Sequence, residues 1–316
     1  MLKIFLCSTF AFISLAHAES TLSTLEKTIL SRINPDVDFR VETPKPGGAV
    51  LNAGDFGFHP TAGGESNVKA LRVALEACRQ TRAGRLVFLP GVYRLKADAP
   101  TGVKDPQYAG KVFAIELTNF TDFTFDGSGT EFIFEQPDWI TEKNRKQGGY
   151  FFIHGNRRVQ LANLTLDWDW ASLPLGFFGT VSDLDPNAGT VDYTLDEDFA
   201  RNFKNPFSVF VMRGWDPSLG MRSDEAFNFS TGQLAGQKRV DASHFRFTFK
   251  NAKSLSAAHR GDAGIFKTDT PWYAIALVVD ENQHLGFDRI KLHGSPGNGV
   301  WARKNKYLEI ARSAFT

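Results

Sequence analysis

The sequence predicts an all-β protein: a parallel β-helix entered through one helix and interrupted by an inserted antiparallel β-subdomain. Three observations predict it. First, four segments repeat one pattern of apolar strand, polar turn and second alternating strand: FAIELTNFTDFTFDG from Phe113, FFIHGNRRVQLANLTLDW from Phe151, YAIALVVDENQHLGFDRIKLHG from Tyr273 and VWARKNKYLEIARSAF from Val300. Two strands per unit with no helix between them suit stacked coils better than βαβ units. Second, 29 Phe stand beside 6 Tyr and 6 Trp, with 28 Gly and 14 Pro, the composition of a strand-rich, turn-rich chain with an aromatic interior. Third, GTVSDLDPNAGTVDYTLD, SVFVMRG, HFRFTFK and AGIFKTD, between the second and third repeats, alternate as antiparallel strands do.

Taken in order, residues 1–18 read as a signal peptide. Lys3 precedes an apolar run that ends in Ala16-His17-Ala18, a small-x-small cleavage pattern, and the run is too short for a permanent anchor. Export to the periplasm or the extracellular space is therefore expected. Cys7 lies in this segment, so Cys78 is left without an intramolecular disulfide partner and is expected to be buried on a helix. Residues 19–47 are polar, end in TPKPGG, and read as a leader draped over the domain.

A cap and the first coils are expected over 48–177. The strand Ala49–Asn52 leads to a Gly-rich turn, and Ser66 or Asn67 is placed to cap a helix carrying Val68, Leu71, Leu75 and Cys78 at helical spacing. RLVFLP, a Pro90-Gly91 turn and VYRL follow. The inserted antiparallel subdomain is expected over 178–267, and further coils over 268–316. By eye, the second strands align Phe123/Phe125 with Leu164/Leu166 and Ile290/Leu292.

The stretch DFGFHPTAGGESNVKALRVALEAC…RLVFLPGVYRL resembles the N-terminal cap of right-handed parallel β-helices related to pectate lyases and polygalacturonases, through the Asp55-Phe56-Gly57 turn and Pro90-Gly91-x-Tyr93. That resemblance implies a right-handed helix with an N-terminal capping helix. LTNFTDFTFDGSGTEFIF, NLTLDWDWASLPLGFFGTV and the insertion are similar to the exo-acting α-1,3-galactosidases of glycoside hydrolase family 110. The resemblance spans residues 48–316 and implies a carbohydrate-active protein. Those hydrolases commonly carry a paired Asp-Asp, and this sequence has none; it also lacks the Gly-His-Gly and Arg-x-Lys elements of polygalacturonases. It stops at ARSAFT, part-way through a coil, so a truncated relative or the first part of a longer protein is expected, with an open strand edge.

Composition narrows the function classes. Lys+Arg 36 against Asp+Glu 35 argues against a nucleic-acid partner, and nothing after the leader reaches transmembrane length. The repeat alignment puts Asp126, Asp167 and His293 at one outward position just after an apolar pair, making them the candidate catalytic residues. Adjacent coils lie about 4.8 Å apart, close to the ~5 Å between the carboxylates of retaining glycosidases. Asp126 before Gly127 is equally ordinary turn chemistry. Trp168, Asp169 and Trp170, next to Asp167, suit a glycan subsite, since sugar C–H faces pack on indoles and hydroxyls pair with carboxylates. Equally, one Trp belongs to the core and the other covers the junction with the insertion. No metal or organic cofactor is expected. The reading is a glycoside hydrolase-like protein acting on a polysaccharide or oligosaccharide if it is active. A non-catalytic glycan-binding β-helix and a polysaccharide lyase are the alternatives, and the Asp-rich Ca²⁺ site of a lyase is not seen.

Overall fold

Each of the four repeats folds into a pair of consecutive strands that enter two different parallel sheets. In the computed structural model these are β4 (Val112–Thr118) and β5 (Thr121–Glu135), β6 (Lys146–His154) and β7 (Arg157–Trp168), β16 (Trp272–Asp280) and β17 (Gln283–Leu292), and β18 (Val300–Arg303) and β19 (Lys306–Ala311). The first member of each pair joins a four-stranded sheet in the order β18-β16-β6-β4. The second joins an eight-stranded sheet in the order β1 (Val50–Asn52), β2 (Arg85–Val87), β5, β7, β17, β19. There β3 (Val92–Lys96) also pairs with β5, and β20 (Ala314–Phe315) with β17. The structure describes residues 40–98, 106–202, 207–223 and 227–315; the signal-like run and most of the leader lie outside them. Glu42 onward forms one compact unit, and Arg40 and Val41 fall to another, without regular structure. No helix among the described residues is long and apolar enough to cross a membrane.

The turn between the paired strands explains why the coils stack in one register. Its second residue is Asn156, Asn282 or Asn305, and these side chains form a ladder along the stack. Asn156 Nδ2 donates to Leu117 O (2.8 Å) and Asn282 Oδ1 (2.8 Å); Asn282 Nδ2 donates to Ile153 O (2.9 Å) and Asn305 Oδ1 (2.9 Å). The Oδ1 atoms accept backbone N–H groups of the preceding coil, Phe120 N on Asn156 and Asn156 N on Asn282. The buried turn amides are thereby satisfied, as they must be away from water. A left-handed bend recurs three residues beyond the first turn residue, at Asp122, Arg158, His284 and Tyr307, and again at Asn163, Arg289 and Arg312, all with φ between +50° and +60°.

Asn163 and Arg289, with Ser128 (φ 54°) in the first repeat, divide β7, β17 and β5 into two apolar pairs each, and this corrects the alignment made by eye. Leu164/Leu166 do pair with Ile290/Leu292. Phe123/Phe125, however, pair with Val159/Leu161, which continue to Leu285/Phe287 and Leu308/Ile310. The first coil's true partner of Leu166 is Phe132, beyond a register shift between Asp126 and Thr130. Two similar apolar pairs per strand allow either match when only the pattern is seen.

The helix α1 (Gly64–Thr81) packs against β1, β2, β3 and β4, burying Val68, Leu71, Leu75 and Cys78 as expected. Burial pushes the Cys78 thiol up to about 11, with Arg79 working against it, so the thiol stays protonated. The helix starts earlier than the sequence suggested, with Gly63 as N-cap and no capping side chain. Asn67 is instead a fully buried strut, accepting from His59 N (3.0 Å) and donating to Arg94 O (3.1 Å). The described end of the leader lies along the stack: Lys45 N donates to Asp122 (3.0 Å), and Glu42 N to His284 Nδ1 (3.1 Å).

Between β7 and β16 an antiparallel sheet runs β11 (Met221–Arg222), β10 (Val209–Asp216), β15 (Ala263–Thr268), β8 (Gly176–Asp185), β9 (Thr190–Leu195), β14 (His244–Phe249), β13 (Leu234–Arg239), with β12 (Phe229–Ser230) paired to β10. It has its own core, including Phe177, Phe229, Phe245, Phe247, Phe249 and Phe266. The molecule is thus mostly β, with two parallel sheets and one antiparallel sheet.

Candidate functional site

A cleft of about 640 Å³ opens where the end of the parallel sheets meets the antiparallel sheet. One wall is the seven-residue connection from β17 to β18, His293-Gly-Ser-Pro-Gly-Asn-Gly299, with Leu292 and Phe315. This loop is held tightly. Ser295 Oγ donates to Ala274 O (2.6 Å), and a Cβ on Gly297 would lie 2.7 Å from that same carbonyl. Tyr150 donates its hydroxyl to Gly294 O (2.9 Å); burial, then the Asp167 charge, pushes its pKa well up and keeps it a donor.

The opposite wall is the outer face of the antiparallel sheet. Met212 and Phe266 point into that sheet's core, so strand alternation turns Val211, Arg213, Ile265 and Lys267 outward to the cleft. Arg213 faces Ile265 and Val211 faces Lys267 across the β10–β15 ladder.

Trp170 stands at the junction, 42% exposed, lining this cleft and a second cavity of about 330 Å³ with Phe178 and Asp196. Its Nε1 donates to Asp167 Oδ1 (3.1 Å), which also accepts Trp168 N (2.7 Å). A Cβ on Gly294 would lie 2.9 Å from Asp167 Oδ1 and 3.0 Å from Trp170 Nε1, so only glycine permits this closeness. His293 follows Leu292, whose partner is Leu166, the residue before Asp167. Asp167 and His293 therefore occupy the same position on neighbouring strands, at the cleft's edge.

Asp126 does not join them. Its partner on β7 is Ala162, five residues before Asp167, on the order of 16 Å along a strand. It is buried and bonded to Arg85, Asn163 (2.8 Å) and Ser128 N (2.9 Å). Burial acts to raise its pKa, but these hydrogen bonds prevail and hold the carboxyl below its usual range. The slipped alignment of the first coil is the reason this residue was grouped with Asp167.

The Trp-Asp cluster is also divided. The strand ends at Trp168, and Trp170 N turns back to bond Trp168 O (2.9 Å), so strict alternation fails here. Trp168 is buried, 6.0 Å from the ring of Trp272. Asp169 is buried and paired with Arg94, which also holds Glu135. These residues line a different cavity, of about 360 Å³. Of the three proposed sugar contacts, only Trp170 reaches the main cleft. Sequence reading missed Arg213, Lys267 and the loop beyond His293, residues 294–299; three glycines in the seven residues after the strand were the available signal for it.

No family model matches the chain. Over 168 residues it is 27% identical to the alpha-1,3-galactosidase A of Shewanella woodyi, covering 51% of this chain and 25% of that protein. Over 212 residues it is 27% identical to the alpha-1,3-galactosidase B of Bacteroides thetaiotaomicron, covering 61% of this chain and 31% of that protein. The chain thus matches between a quarter and a third of the length of these relatives.

Proposed function

We propose that this chain is a carbohydrate-active, glycoside hydrolase-like protein, that its ligand is a galactoside or a related oligo- or polysaccharide, and that the cleft at Trp170 receives it. The observation that carries this reading is the similarity to two alpha-1,3-galactosidases over up to 61% of the chain. The cleft supports it: its volume falls in the range of ligand pockets, roughly 300–1,000 Å³. An exposed indole is a platform for a sugar face, and Asp167, which fixes that indole, is the carboxylate beside it. In this reading Asp167 serves as the acid/base group, with His293 next to it. The stacked coils form a right-handed β-helix, and the segment 1–18 directs export.

The test is galactose release from α-1,3-linked galactosides by the purified chain. Wild type is expected to release sugar, and Asp167→Asn to lower kcat by roughly a hundredfold or more. Trp170→Ala is expected to act mainly on KM. Unchanged turnover in Asp167→Asn rejects that residue's role.

One observation favours a second reading, a glycan-binding role without turnover. No residue lining the cleft carries a carboxylate among the described residues; Asp167 stands at its edge and Asp196 lines the adjoining cavity beyond Trp170, so neither carboxyl lies within the cleft itself. Binding without any sugar release would select it.

A further inference from the structure

The cleft is the first of three cavities that follow the 293–299 loop. The next, about 370 Å³, is lined by Lys267, Tyr273 and Pro296 among others, and the third, about 200 Å³, by Tyr273, Asn298, Trp301 and Lys111 among others. Lys267 is common to the first and second, and Tyr273 to the second and third. The loop contributes to all three, through His293, Pro296 and Asn298 respectively. The cavities are therefore steps of one track.

Each step pairs a half-exposed aromatic ring with a cation. Trp170, Tyr273 and Trp301 are 42%, 40% and 37% exposed. Arg213 and Lys267 face the first step, Lys267 Nζ lies 5.8 Å from the Tyr273 ring centre, and Lys111 Nζ lies 5.1 Å from that of Trp301. Asp167, at the edge of the first step, accepts from Trp170 Nε1 and Trp168 N. Among the described residues lining the three cavities the one carboxylate is Asp269, and Arg145 holds it with two bonds of 2.8 and 2.7 Å.

A sugar hydroxyl both donates and accepts, so a neutral sugar can bond these cations but gains no charge attraction from them, whereas a sulfate or carboxylate group gains both. Cations set against apolar walls focus positive potential and raise the local concentration of anions. A guanidinium matches the fork of a carboxylate or sulfate oxygen pair.

We propose that this track binds an anionic oligosaccharide, one bearing sulfate or carboxylate groups, with sugar faces on Trp170, Tyr273 and Trp301 and the anionic groups on Arg213, Lys267 and Lys111. The proposal rests on the carbohydrate reading above and specifies the substrate class of the same cleft.

The test is calorimetric titration of the full chain with three oligosaccharides of equal length: a sulfated galactan fragment, an oligogalacturonate and a neutral galacto-oligosaccharide. At low salt at least one anionic ligand is expected to bind roughly tenfold more tightly than the neutral one. Raising the salt should erode that advantage. Whichever anionic ligand binds more tightly identifies the anion, and either result supports the proposal. Arg213→Gln with Lys267→Gln should narrow the gap between anionic and neutral ligands; an unchanged gap overturns the assignment to these residues. Equal affinity for neutral and anionic ligands in the wild-type chain overturns the proposal and leaves the carbohydrate reading standing. Binding of none of the three overturns both.

Discussion

The parallel stack and the antiparallel insertion are both filled with phenylalanine packed ring on ring, yet the stack adds a side-chain ladder to that packing. In the stack, Phe123, Phe125, Phe132 and Phe287 lie on strands whose register is set by the Asn156–Asn282–Asn305 ladder. In the insertion the rings lock one another. Phe247 lies 4.8 Å from Phe229, 4.9 Å from Phe245, 5.6 Å from Phe266 and 5.8 Å from Tyr193. Hydrogen bonds are directional and repeat from coil to coil; ring packing is local and depends on filled volume. The stack is therefore specified by its turns together with its core, where Phe134 and Tyr150 stack at 3.9 Å, and the insertion chiefly by its core.

The most severe way to break this contrast is to empty the insertion's core. Phe247 is fully buried, and Phe247→Ala is expected to cost about 3–5 kcal/mol, the usual range for a large aromatic truncated in a core. Urea unfolding measures the loss, and hydrogen exchange locates it. Protection is expected to fall in β8, β9, β14 and β15 and to persist in β5, β7 and β17. Equal loss in both regions would mean that one cooperative unit, and not two, carries the fold.

A ladder substitution is the matching experiment in the stack. Asn282→Leu keeps the γ-branched shape but removes the acceptor of Asn156 N and the donor to Ile153 O, both buried. Stranding such groups is expected to cost on the order of 3 kcal/mol. Asn305→Leu, at a partly exposed position of the fourth strand pair, should cost less. Thermal unfolding of the two variants checks the order. Equal effects would show that the ladder adds nothing beyond its individual turns.

The same contrast explains what could be read from the sequence. The stack announced itself because all four repeats carry an apolar strand, a polar turn and a second strand, and all four fold as strand pairs. Its register was misjudged for the first coil because Phe123/Phe125 and Phe132/Phe134 are alike as a pattern. Only the bend near Ser128 and its register shift tell them apart. The ladder was visible as asparagines in turns, but an asparagine in a turn is ordinary until three of them are seen to stack. At the site, Asp167, His293 and Trp170 were legible because they end or follow repeat strands. Arg213 and Lys267 were not, because they reach the cleft from the other region, across a contact that no local spacing encodes. Asp169 turns away from the main cleft because the strand stops at Trp168 and its carboxylate pairs with Arg94, which composition and spacing do not reveal.

The gentlest probe of the comparison is pH, through one carboxylate in each region. Asp122, on the stack, is held down to about 2, first by hydrogen bonds from Arg158 (both 2.6 Å), with burial opposing and Lys45 N assisting. Asp241, in the insertion, is also held down to about 2, first by Ser243 N and then by His244. For both, the folded value lies below the unfolded value of about 3.9, so each contribution is complete above that pH and is lost as pH falls toward 2. The partners differ in reach. Those of Asp241 lie within three residues, so an unfolded chain retains part of the interaction, and its side chain is 55% exposed. Those of Asp122 come from 36 and 77 residues away and vanish on unfolding. Asp122→Asn should therefore flatten the fall in urea midpoint between about pH 4.5 and 2.5 more than Asp241→Asn does. The reverse order would mean that the acid sensitivity of the protein belongs to the insertion's turns, not to the contacts that bind coil to coil.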